Sequence, residues 1–227
     1  MMLPGMATRP ETSAANDAQP DPESTRMRLM LATERQVAAN GTAGMSVRDI
    51  ARDAGTNLSA IDYHFGSKIK LVLATLGWRG LQGRAMRERQ LAPFEAQETI
   101  GDLRGLLRAI LECHYARPSS PGQPTHMFFI RMLLDTTPEI VEFFREAAVW
   151  FRKDVFLLQR ALPELSFEEA SWRYYAIMGL THLNDFDDAR LAAWSDGKCV
   201  PESRAEVLDL IVDCAVAIAA MPARANA

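Results

Sequence analysis

Cysteine is scarce in this sequence: Cys113, Cys199 and Cys214 stand far apart. An odd, scattered set neither frames a disulfide-stapled fold nor supplies the ligand spacing of a zinc site. His114 adjoins Cys113, but neighbouring helix positions point away from each other, which removes a shared metal. Long apolar runs are missing too; none approaches the ~18–20 residues that a membrane-spanning helix requires. The opening stretch, MMLPGMATRPETSAANDAQPDPEST, has no basic region leading into an apolar one, so it does not read as a secretory signal. These absences predict a cytoplasmic protein with no membrane partner. Catalytic signatures are also lacking: there is no G-x-S-x-G, no H-E-x-x-H and no glycine loop to cradle phosphate. Asp185, Asp187 and Asp188 crowd one turn and fit a solvated helix end better than a metal cluster. No catalytic residue, metal ligand or cofactor is therefore assigned, and an enzyme is not expected.

What is present is ordinary globular material: 227 residues, 48% hydrophobic and 24% charged, enough for one large domain or two small ones. The net charge of −4 hides an uneven distribution. Residues 24–80 carry eight Lys/Arg against four Asp/Glu, a balance of +4, which leaves −8 for the remainder. A basic head on an acidic body suits a polyanion-binding module attached to a regulatory one.

Residues 1–23 are rich in Pro, Ala, Ser, Asp and Glu and cannot bury enough apolar surface to offset their ordering entropy, which predicts a disordered arm. From Ser24 onward the apolar residues recur at helical spacing, with no sustained period-two alternation. The expected fold is all-α: an N-terminal three-helix head over 24–80, joined by a long helix to a C-terminal helical domain over 81–227. The first helix should run from Ser24 to Ala39 and stop at Asn40-Gly41. Ser46, with Asp49 three residues on, should cap a short helix ending near Ala54, and Gly55 sits where a left-handed residue would close it. Asn57 should cap Leu58–Phe65, and Ser67 a long helix reaching about Gln90. Further helices are expected at about 99–116, 125–134, 138–161, 166–190 and 202–220. On the penultimate one Trp172, Tyr175, Gly179 and Phe186 share a stripe, as bundle-packing residues do.

Two short helices joined by a tight turn at Gly55 make a helix-turn-helix. The second presents its N-terminal residues to base edges in the major groove, here Thr56, Asn57, Leu58, Ser59 and Ala60. Ile61 and Phe65 fall inward by helical spacing, leaving Tyr63 and His64 outward toward phosphate. The helix start at Ser67-Lys68 suits a phosphate, and Arg48 is the long bidentate donor placed to reach a guanine edge. Over about residues 24–76 the stretch SVRDIARDAGTNLSAIDYHFGSKIKLVLATL resembles the tetracycline-repressor (TetR) family of bacterial regulators, with S-V-R-D-I-A, A-G and Y-H-F-G-S-K in order. That resemblance implies phosphate contacts from Ser46, Tyr63, His64 and Lys68. It implies base contacts from Arg48, Leu58, Ser59 and Ala60. Asp62, Leu58 and Lys70 depart from the family's usual residues, which bears on the operator sequence.

The functional expectation is a repressor that binds double-stranded operator DNA at a palindrome and is released by a small-molecule effector. Two chains should pair through the helices at 166–190 and 202–220. Phe128, Met132, Trp150, Trp172, Tyr175 and His182 are the candidate lining of an effector pocket, a composition compatible with a lipophilic or aromatic ligand. Two other readings stay open. One is a helical partner-binding module with an idle DNA head, favoured by Asp62 and Leu58. The other is a helical enzyme, for which the sequence offers no catalytic set.

Overall fold

The computed structural model describes residues 24–115, 124–184, 188–200 and 203–223. The arm expected over 1–23, most of the proline-rich break before Pro124, Asp185, Phe186, Asp187 and the Pro201-Glu202 helix start lie outside the described residues. Among those described there are ten helices and no strand: α1 Thr25–Gly44, α2 Val47–Asp53, α3 Ser59–Phe65, α4 Lys68–Glu95, α5 Leu103–Tyr115, α6 Pro124–Leu133, α7 Pro138–Ala161, α8 Phe167–Asn184, α9 Asp188–Trp194 and α10 Arg204–Ala219. No helix among the described residues is long and apolar enough to cross a membrane.

Local chemistry sets most of these boundaries. Ser24, Ser46, Ser67 and Ser203 each accept a backbone N–H of the turn that follows, which satisfies one of the orphan donors at a helix start. Asn57 Oδ1 does the same for Ala60 at 3.0 Å. Gly55 and Gly66 adopt φ of 61° and 77°, the left-handed conformation that terminates α2 and α3. The stop expected at Gly41 appears as a break within α1: this residue has φ 70° and ψ 174°, and one further turn follows it to Met45.

Two expectations need correction. α4 continues past Gln90 to Glu95 and carries Pro93 in its last turns. The missing N–H of a proline is tolerated there because Leu91 and Phe94 anchor that end in the core. α5 begins at Leu103 rather than near 99, where Asp102 Oδ1 accepts Gly105 N–H at 2.8 Å; a Cβ on Gly105 would collide with that same carboxylate. The helix expected over 166–190 is described as α8 and α9, residues 185–187 between them lying outside the described residues.

The chain builds two apolar cores, and α4 runs through both. The first holds Leu29, Met30, Val37, Ile50, Ile61, Leu71, Val72 and Leu76 from α1–α4, and also Phe128 and Met132 from α6 and Ile140 from α7. The second holds Leu91 of α4 with Leu107, Leu111, Leu158, Ile177, Ile211 and Ala215 from α5, α7, α8 and α10. α6 lies along α1 more extensively than any other two helices touch, so the N-terminal head shares its core with a helix from the second half of the chain.

Candidate nucleic-acid interface

The surface that could meet a duplex is built on α2, α3 and the first turn of α4. Ile61 is buried and Phe65 packs against the head core, which fixes α3 with its other face outward. Leu58 (45% exposed), Ser59, Asp62 and Tyr63 (85% exposed) form that outward face, with Asn57 at its leading end. Thr56, Ala60 and His64 are half-buried. His64 stands edge-on to Tyr63 at 4.9 Å between centroids, and the guanidinium of Arg26 lies 5.2 Å over the Phe65 ring. At the start of α4 the Ser67 hydroxyl accepts Lys70 N–H, and the carbonyl of Ser67 takes Leu71 N–H. The N–H groups of Lys68 and Ile69 are left for an outside acceptor, and the positive helix end favours an anion there.

Most cations in the head are already occupied. Arg79 pairs with buried Glu34 through two bonds, 3.1 and 2.7 Å, and stacks on Trp78 at 4.2 Å, clasping α4 to α1. Arg28 donates to the carbonyl of Ala54 at 3.1 Å, Arg35 to Asp53 at 3.0 Å, and Arg52 pairs with Asp49. Lys68 Nζ donates to the carbonyl of Met45 at 2.9 Å, so this residue braces the loop before α2. Asp49 thus serves Arg52, and the Ser46 hydroxyl accepts Arg48 N–H at 3.1 Å; the reciprocal capping box suggested by the spacing is not formed. Arg48 and Lys70 are exposed and carry no ion pair among the described residues, flanking the α3 face.

Residues 29–75 match the bacterial regulatory proteins of the tetR family, and residues 113–217 match the tetracyclin repressor-like C-terminal domain. The chain belongs to the tetracycline-repressor (TetR) family. It is a DNA-binding transcriptional regulator with a helix-turn-helix head and a helical C-terminal domain. Solved structures share its fold. A TetR-like transcriptional regulator from Rhodococcus sp. RHA1 superposes with a TM-score of 0.58 at 16% identity, over 87% of this chain and 96% of that one. FadR from Bacillus subtilis, solved with stearoyl-CoA, gives 0.56 at 14% identity over 84% and 97%. A regulator from Saccharomonospora viridis, solved with choline, gives 0.57 at 16% over 83% and 93%. No curated protein matches the chain.

In the C-terminal half of this TetR-family chain, the five described side chains among the six read as pocket lining fall in three separate settings. Phe128 and Met132 are wholly buried in the head core, where they join α6 to α1. Trp150 is half-buried between Arg84 and Lys153, at 4.0 and 4.3 Å from its ring. Trp172 and Tyr175 are 65% and 75% exposed and meet edge-on at 6.4 Å. His182 belongs to α8, but its side chain lies outside the described residues. An open depression lined by Glu98, Thr99, Phe156, Gln159, Arg160 and Pro163 lies elsewhere.

The polar centre of this domain escaped the sequence reading. Arg87 of α4 donates to Asp154 of α7, whose second oxygen accepts the Tyr174 hydroxyl of α8 at 2.8 Å. All three side chains are buried. Burial lifts the Asp154 carboxyl above its ordinary value, with Arg87 and Tyr174 pulling it back. Burial pushes the nearby Cys113 thiol up to about 12, helped by the Asp154 charge and opposed by Arg87. A trace was available: Arg87 stands four residues before Leu91 and seven before Phe94, so a charge sits in the apolar phase of its helix.

Proposed function

We propose that the protein is a homodimeric repressor that holds a palindromic operator through α3 and the start of α4 and lets go when a small molecule enters its C-terminal domain. The observation that carries the DNA part is the outward face of α3, flanked by Arg48 and Lys70 and by the unsatisfied N–H groups opening α4. In this reading Thr56, Asn57, Leu58, Ser59 and Ala60 face base edges and Arg48 reaches a guanine. Ser46, Tyr63 and His64 hold phosphate, and Lys68 acts through the helix start it braces rather than through a free ammonium. Asp62 repels phosphate unless it accepts from a cytosine amino group, and Leu58 offers only apolar contact, for example to a thymine methyl.

Dimerisation is supported by apolar surface left bare on one protomer. Trp172, Tyr175, Ala176 and Gly179 form an exposed stripe on α8, while Ile177, Tyr174 and Ala170 point into the core. Leu210 (56% exposed), Cys214, Ala217 and Met221 continue such a stripe along α10. Two copies pairing α8 and α10 about a twofold axis would bury both stripes in a four-helix bundle. That symmetry would set the two recognition helices one turn of DNA apart, roughly 34–36 Å. Ligands on the fold neighbours range from choline to stearoyl-CoA, so the fold does not select an effector class.

Sequence selection from random duplex DNA tests this directly. The expected product is a palindrome whose binding weakens steeply with salt. Arg48→Ala should relax preference at one base pair by about 1–3 kcal/mol. If no sequence is enriched, the DNA head is idle and the partner-module reading replaces this one.

A further inference from the structure

Inside the second core one charged side chain has unused donors. Arg87 is only 7% exposed. Its Nη2 is taken by Asp154, yet Nε and Nη1 are fully enclosed and bond to nothing. A guanidinium has five N–H bonds; three of them, one on Nε and two on Nη1, therefore have no acceptor. Buried donors left in this way cost stability, and an ion pair alone would not require them. The helices that carry the pair also supply apolar side chains to this core. Leu91, Leu111, Val155, Leu158, Ile177 and Met178 belong to the same core. Cys113 sits within electrostatic reach of both charges, and its one S–H has two acceptors in reach, Gln90 Oε1 at 2.6 Å and the carbonyl of Ala109 at 3.0 Å.

Charge decides what kind of acceptor fits. Burial alone would ease the proton off Arg87, but the Asp154 contact outweighs it and holds the guanidinium charged. The cation already has its counter-charge, so an anionic guest would bring a second, uncompensated charge into an apolar enclosure. A neutral oxygen meets the need without that penalty. We propose that Arg87 is the anchor of the effector site, and that the effector is a small uncharged molecule offering carbonyl-type oxygen to its Nε and Nη1 from an otherwise apolar body. This rests on the reading that the C-terminal domain takes an effector. Arg87 lies on α4, which also forms the start of the DNA-facing surface, so occupancy at Arg87 acts on the helix that leads to the head.

Two matched sets of probes test it on the full-length protein: acetophenone, benzoate and toluene, and cyclohexanone, cyclohexanecarboxylate and methylcyclohexane. The readout is the arginine Nε–H region of nitrogen-15 correlation spectra, with the Arg87 peak identified by its loss in Arg87→Met. Both ketones should shift that peak saturably and bind at least tenfold more tightly than their carboxylate and hydrocarbon partners. Arg87→Met should lower ketone affinity at least tenfold while dimer mass and helicity stay unchanged; if that variant does not fold, Arg87→Lys, which keeps the charge beside Asp154, identifies the peak by its loss and the wild-type titrations decide. Tighter binding of either carboxylate, undiminished ketone binding by Arg87→Met, or a peak that no probe moves would overturn the proposal. In the last case the donors are satisfied by internal water only. Sequence selection on the same preparations separates the two claims. A protein that enriches a palindrome but fails at Arg87 loses this inference alone, whereas failure to enrich any sequence strikes the repressor reading.

Discussion

Replacing Gly80 and Gly83 with alanine should make this protein more stable. Both lie in the interior of α4, with Gly77 one turn earlier, so three glycines at three-residue spacing occupy the stretch between the two cores. A glycine in a helix interior costs about 0.5–1 kcal/mol relative to alanine, through backbone entropy that alanine does not lose. Neither site has a packing reason for glycine: a Cβ built at Gly80 or at Gly83 meets no heavy atom within 4 Å. At Gly77 the nearest atom is the Phe143 ring at 3.8 Å, an ordinary contact. Nothing therefore offsets the gain, and the double variant should be about 1–2 kcal/mol more stable. For a chain of this size that is a rise in Tm of about 2–8 °C. Thermal unfolding followed by circular dichroism, at one fixed protomer concentration, measures it. An unchanged or lowered Tm would refute the reasoning, since it would mean that this part of α4 is not a continuous, uncrowded helix in the assembled protein.

Phe128→Ala should cost about 3–5 kcal/mol and should speed amide exchange in α1 as well as in α6, because Phe128 is wholly buried in the head core; protection retained in α1 would disprove the shared core. Leu210→Asp places a charge in the middle of the bare α10 stripe, and sedimentation should find a monomer at concentrations where the wild type is a dimer. Cys113 should resist alkylation at pH 8 while exposed Cys199 reacts. Its thiol stays protonated to about pH 12 against an ordinary value of 9.0, so its contribution to stability is complete below pH 9 and falls as pH rises toward 12. Labelling of Cys113 in the folded protein at the rate of Cys199 would contradict that burial.

What could be read in the sequence was what short-range chemistry determines. The caps Ser46, Asn57 and Ser67, and the left-handed Gly55, act within a turn of themselves, and the head follows from them. The inward Ile61 and outward Tyr63 are consequences of helical period alone. The same logic does not reach contacts whose partners are distant in sequence. Lys68 looked like a free cation because nothing nearby announces that Met45 will offer its carbonyl. Phe128 and Met132 looked like effector-pocket lining because the apolar phase of α6 does not say which helix it will cover, and that helix proved to be α1. Trp172 and Tyr175 were read as bundle-packing residues, and their exposure on one protomer leaves that packing to a second copy. The Arg87–Asp154–Tyr174 centre joins three helices spread over some ninety residues, and only the misplaced charge at Arg87 hinted at it.

The two connections between head and body differ in stiffness, and that difference bears on how release would work. Along α6 the joint is tight: Phe128 and Met132 interlock with α1, and Thr42 donates to Asp135, whose carboxyl is lowered because hydrogen bonds from Thr137 and Thr42 outweigh its burial. Along α4 the joint carries glycines instead, at 80 and 83 between the Arg79–Glu34 clasp below and the Arg87–Asp154 pair above, and at 77 just before the clasp. On the proposed release, a head held firmly by α6 would swing with α6 and bend α4 at its glycines. Coupling between effector and DNA typically amounts to about 1–3 kcal/mol. The helix-stiffening effect of two alanines, about 1–2 kcal/mol, is of the same size. If release bends α4, the alanines that raise Tm must also weaken release by about five- to thirtyfold. A double variant that gains stability and still releases operator as the wild type does would leave α4 straight in both states and assign the movement to α6 alone.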